Sequence, residues 1–137
     1  MSFRYKSALL SLASMALVYG WYFVTLMIHR HDGTHPNPAL HLGGAVLLLA
    51  LIQIVGHIVI AGTSSDKYDA MDERERFFDQ RATRVGYYLL IVGGLAAIAT
   101  LHIGASGPDM GNAVLLAIVV AECVRQAVFL ISHHKAA

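Results

Sequence analysis

The 137-residue chain carries little charge: Asp, Glu, Lys and Arg make up 14% against 56% hydrophobic residues, where soluble domains have about 25% and 45–50%. So few charges argue against a surface that faces water all round, and much of it is expected to face lipid. Cysteine is nearly missing as well. The single Cys123 excludes an intramolecular disulfide and any zinc site built from paired cysteines, and its place in an apolar run suits packing better than redox chemistry. With a formal net charge of +1, there is neither a strongly basic face for direct nucleic-acid binding nor an acidic tail for a cationic partner. The sequence contains no nucleophile elbow, phosphate loop or His-Glu-x-x-His motif, so an enzyme is not expected.

What the chain does have is length of apolar sequence. Four runs, at about 8–28, 39–61, 85–103 and 110–131, each meet the roughly 20 residues a helix needs to cross ~30 Å of hydrocarbon. The expected fold is an all-α membrane protein: one domain over residues 1–137, an antiparallel four-helix transmembrane bundle with a cytoplasmic helical extension before the third helix. Arg4 and Lys6 precede the first run as they would in a secretory signal. That run continues through Tyr19, Trp21, Tyr22 and Phe23 to Ile28 without a convincing cleavage site, which favours a retained span.

Lys and Arg orient the chain. Arg4 and Lys6 lie at one end, Lys67, Arg74, Arg76, Arg81 and Arg84 in the second connection and Lys135 at the other end, whereas the first connection has Arg30 alone and the third has none. The positive-inside rule then places both termini and the central segment in the cytoplasm, with residues 29–37 and 104–109 outside. Small residues at helical spacing, Ala16 with Gly20 and Gly93 with Ala97, suit close helix approach in lipid.

Of the 19 Asp, Glu, Lys and Arg residues, 11 fall in residues 63–84. This segment holds good helix formers with no Gly or Pro. Ser64, Ser65 or Asp66 can cap its start, and Met71, Phe78, Ala82 and Val85 share a helical face, so the segment is expected to run unbroken into the third span. Arg81 and Arg84 fall where that helix meets the lipid headgroups, ahead of Tyr87 and Tyr88 in the aromatic belt. Met71, Arg74, Phe77, Phe78 and Arg81 form a candidate partner-binding surface; folding back on the bundle and lying on the membrane are the alternatives for Phe77 and Phe78.

The stretch Asp72-Glu73-Arg74-Glu75-Arg76, followed by Ala82-Thr83-Arg84-Val85-Gly86-Tyr87-Tyr88 at the start of the third span, resembles a family of small prokaryotic membrane proteins of unknown function. Members have four predicted spans and an Asp-Glu-Arg signature between the second and third. The resemblance covers about the central quarter of the chain and implies no activity. It implies a regulatory role, because some members are expected to accompany small helix-turn-helix regulators. A soluble cytoplasmic transcription regulator is the partner class that follows.

Two further groups can carry chemistry. Ionisable side chains inside lipid are costly and normally face a bundle interior; Gln53, His57, Glu122, Arg125 and Gln126 can meet if the second and fourth spans adjoin. Such a cluster is either a satisfied structural network or the relay of a small oligomeric, proton-coupled transporter. Secondly, His29, His31, His35 and His41 crowd the first outer connection, and imidazoles bind zinc, copper or nickel. His41, His102, His35 and Asp109 are the candidate ligands of a metal or haem site, although no standard zinc spacing is present and solvated histidines are the expected outcome. His57 lies ~27 Å along its helix from the outer end, so it cannot share one iron with His102. No cofactor is expected.

Overall fold

A backbone in hydrocarbon must satisfy every N–H and C=O internally, which long runs of Ala, Leu, Ile and Val do as helices. A computed structural model of the chain describes residues 3–33, 37–63 and 73–134. They form α1 (Phe3–His31), α2 (Pro38–Thr63), α3 (Glu73–Ala99), a 3-10 turn at Thr100–Ile103 and α4 (Gly107–His134), with no strand among the described residues. All four helices are long and apolar enough to cross a membrane. The all-α, four-helix membrane architecture read from the sequence is thus what the structure shows.

Helix ends follow from local chemistry. Gly33 and Gly104 take φ of +67° and +85°, a left-handed conformation that side chains disfavour and that closes a helix C-terminus. Pro38 opens α2 where a missing N–H costs nothing. Ser106 and Asp109 cap α4 reciprocally: the Asp109 N–H donates to Ser106 Oγ at 3.3 Å, and the Ser106 N–H and hydroxyl donate to Asp109 Oδ2 at 3.3 and 2.7 Å. Helices α1, α2 and α4 overhang their apolar runs at both ends, whereas α3 overhangs only at its start and gives way at Ala99 to the 3-10 turn that finishes the third run. The charged segment from Glu73 continues into the third span as one helix, as its periodicity predicts; the candidate caps Ser64, Ser65 and Asp66, and Met71, lie outside the described residues.

The chain divides into two units, Met1–Tyr68 and Asp69–Ala137, each an antiparallel helical hairpin. In the first, α1 turns Ser7, Ser11, Ser14, Val18, Tyr22 and Thr25 toward α2. Ser14, Val18 and Tyr22 are buried. Ala16 and Gly20 lie half a turn away and are exposed, with nothing within 4 Å of a Cβ built on Gly20, so this small pair is not what brings α1 to α2. In the second hairpin, Ala82, Gly86, Gly93 and Ala97 line the face of α3 that meets α4. A Cβ on Gly93 would fall 2.7 Å from Ala117 Cβ, and one on Gly86 would fall 3.1 Å from Arg125 Cβ and 3.3 Å from the Ala121 carbonyl oxygen. Here the backbones approach closely enough to exclude any side chain, the packing that substitutes in lipid for a hydrophobic driving force.

Candidate functional site

The first hairpin places Gln53 and His57, one turn apart on α2, against the serines of α1. His57 Nδ1 lies 2.7 Å from the Gln53 carbonyl, which can only accept, so the neutral ring carries its proton there. Nε2 therefore accepts from the Ser7 hydroxyl at 2.7 Å. The Gln53 amide uses both ends: Nε2 donates to Ser14 Oγ at 2.9 Å, and Oε1 accepts from Ser11 Oγ at 3.3 Å. The Ser14 hydroxyl donates to the Ser11 carbonyl at 3.2 Å. This ladder ties α1 to α2 near the end of the hairpin that carries Arg4 and Lys6. Its serines were missed in the sequence, although their spacing of four and three residues is that of one helical face.

At the turn end of the same hairpin, His41 is half-buried among aromatic rings. Tyr22 stacks on it at 4.7 Å between centroids, and Trp21 presents an edge at 5.6 Å. The Thr25 hydroxyl donates to the Trp21 and Tyr22 carbonyls, both at 2.9 Å, so its oxygen accepts from His41 Nε2–H, also at 2.9 Å. His29 Nδ1–H donates to the Thr25 carbonyl at 2.7 Å. Among the described residues, no group of three or more His, Cys, Asp or Glu gathers to hold a metal ion. His102 lies exposed on the 3-10 turn of the second hairpin, Asp109 serves as the α4 cap, and His35 lies outside the described residues.

The second hairpin concentrates its charge at the end opposite its turn. Arg125 Nε–H donates to both Glu122 oxygens at 3.0 and 3.1 Å, its Nη2 reaches Oε1 at 2.5 Å, and Gln126 Nε2 donates to the same oxygen at 2.9 Å. Across the hairpin, Arg125 Nη1 lies 3.9 Å from Asp79 Oδ1, and His133 Nε2 lies 3.7 Å from Glu75 Oε1. Gln53 and His57 thus find partners inside the first hairpin, and Glu122, Arg125 and Gln126 inside the second.

The helix register changes the level of that ion pair. Gly86 sits against Arg125 and Ala121, so Glu122 and Arg125 lie beside the point where α3 passes from charged sequence, ending at Arg84, to apolar sequence beginning at Val85. A count along α4 alone makes them look deep. Beyond this level the hairpin continues: Phe129 and Leu130 on α4 are buried, Ala82 is fully covered, and Phe78 is half-buried. The result is a two-helix stalk with its own apolar seam.

On the stalk's outer side stands Phe77, 63% exposed, followed by Tyr87 and Tyr88. Arg74, Arg76, Arg81 and Arg84 are exposed too; of the acids among the described residues 73–84, Glu73 is exposed and the Asp79 side chain is 46% exposed. Among the described residues, no carboxylate lies within ion-pair distance of Arg76, Arg81 or Arg84. Phe77 and Phe78 stay edge to face, with ring centroids 6.3 Å apart, but differ in exposure: Phe77 is exposed and Phe78 half-buried.

Comparison with known proteins adds no relative: no family model, curated protein or solved structure matches the chain.

Proposed function

We propose that the chain is a non-enzymatic regulatory or interaction protein of a prokaryotic cytoplasmic membrane, holding a soluble partner on the outward face of α3. Both termini and the stalk then lie in the cytoplasm, as the Lys and Arg distribution favours, and a transcription regulator is the partner class drawn from the family resemblance. The observation that carries the reading is Phe77. It projects from a charged helix that α4 already braces from the other side and stays 63% exposed although its ring stands edge-on to Phe78, and exposed aromatics are the usual anchors of interfaces. The polar groups offered by the alternative transporter reading, by contrast, already have partners: Gln53 and His57 bond across to the serines of α1, and Glu122 is held by Arg125 and Gln126 of its own helix.

The test is photo-cross-linking in native membranes from a probe residue introduced at Gln80, one turn from Phe77. A specific protein adduct that disappears in Phe77→Ser is the expected result. If no protein is captured from position 80 in cells expressing the chain at its normal level, the docking role is wrong.

A further inference from the structure

The charged part of α3 is nearly balanced in sequence, and it is the folded hairpin that sorts its signs. Glu75 and Asp79 turn toward α4, where His133 and Arg125 face them. Among the described residues, what remains outside is Arg74, Arg76, Arg81 and Arg84 against Glu73 and the part-exposed carboxylate of Asp79. Glu73 stands in the first turn, where a negative charge complements the helix dipole. Among the described residues, the outer face of α3 therefore carries more arginine than acid around one aromatic ring.

Depth separates the two kinds of acidic material that could meet it. A bilayer with ~30 Å of hydrocarbon within ~40–45 Å overall leaves about 5–8 Å of headgroup on each side. Arg84 precedes Val85 by one residue and lies within that layer, whereas Arg81 precedes it by four, about 6 Å, and stands at the layer's outer edge, where its long side chain reaches water. Phe77 precedes it by eight, about 12 Å, and a tilt of ~20° shortens this only slightly. Arg76 and Phe77 therefore stand clear of the lipid, and headgroups alone cannot cover them.

We infer that the surface docking on α3 is an acidic segment of a soluble protein, carrying carboxylates for Arg76 and Arg81 on either side of an apolar notch for Phe77. This deepens the docking role proposed above and rests on it. Complementary charge would speed encounter and reject basic partners, and among the described residues no carboxylate stands within ion-pair distance of Arg76 or Arg81. Arg76→Lys/Arg81→Lys keeps the charge, whereas Arg76→Gln/Arg81→Gln removes it.

Two measurements on the full chain test this. In discs of zwitterionic phosphatidylcholine, the protein is titrated with two helical peptide probes that share a Leu stripe, one Glu-rich and one Lys-rich. The Glu probe should bind about ten-fold or more tightly than the Lys probe, weaken to a similar degree in the Gln pair and in high salt, and be retained by the Lys pair. Equal binding of the two probes, or a Gln pair that binds the Glu probe like the native chain, overturns the inference. In native membranes, cross-linking from position 80 is repeated in the same backgrounds. An adduct lost in Phe77→Ser but kept in the Gln pair leaves the docking role standing and overturns the acidic partner. An adduct lost in both supports the two together. Capture of anionic phospholipid in place of protein makes the occupant lipid, and overturns both.

Discussion

The two hairpins look alike in hydropathy and are joined by different chemistry. The first uses side-chain hydrogen bonds between Ser7, Ser11 and Ser14 and the pair Gln53 and His57, with no carboxylate, Lys or Arg among them. The second brings backbones together at Gly86 and Gly93 and reserves its ion pairs for the level where α3 becomes polar. Charge is thus admitted only where water or headgroups can share its solvation, the condition under which it is affordable. A further contrast follows: the first hairpin has no polar stalk among its described residues, whereas the second carries one, with Phe77 on it.

The contrast should break most sharply at the glycines. Gly93→Leu drives a side chain into Ala117 and should destabilise the second hairpin by about 3 kcal/mol in a mixed-micelle unfolding titration. Gly20→Leu in the first hairpin, with open space around it, should stay within about 0.5 kcal/mol. If both are equally harmful, the two hairpins do not differ in backbone approach.

Removing one side of the ion pair comes next. Arg125→Ala strips Glu122 of three of its contacts; because both side chains remain about one-third exposed, the loss should be about 1–2 kcal/mol, well short of that for a fully buried pair. Glu122→Leu/Arg125→Leu should recover more than half of it, which the same titration reads.

In the first hairpin, Gln53→Leu removes two interhelical bonds and should lose about 1 kcal/mol. A double-mutant cycle of Ser7→Ala with His57→Phe should give a coupling of about 0.6 kcal/mol; zero coupling would mean that this rung does not hold the helices. The smallest effect belongs to Phe77→Ser, which should change stability by less than about 0.5 kcal/mol. A large loss there would assign Phe77 to the fold and remove the reason to call it a docking residue.

Much of the fold was legible because lipid imposes its own length scale: four apolar runs of sufficient length become four helices, and the face shared by Phe78, Ala82 and Val85 announced that the charged segment joins the third span. The capping role of Asp109 was hidden behind its suitability as a metal ligand, since a carboxylate three residues after a serine serves either purpose. The serine ladder was hidden by frequency, because serine in a Leu- and Ala-rich span looks like ordinary composition until a Gln and a His stand opposite at the same spacing. Phe77 and Phe78 could not be told apart until α4 showed which side of α3 was taken.

By itself the sequence determined the class of protein, the number of helices and the region where charge collects, since these follow from transfer of residues between lipid and water and need no knowledge of neighbours. Only the tertiary structure decided the levels and the faces. Pairing Gly86 with Arg125 raised Glu122 from the depth a count along α4 assigns to it, and turning Glu75 and Asp79 toward α4 left the outer face of α3, among the described residues, with more arginine than acid. Both depend on which helix lies alongside which, in what register, and that is set by close contacts between residues far apart in the chain.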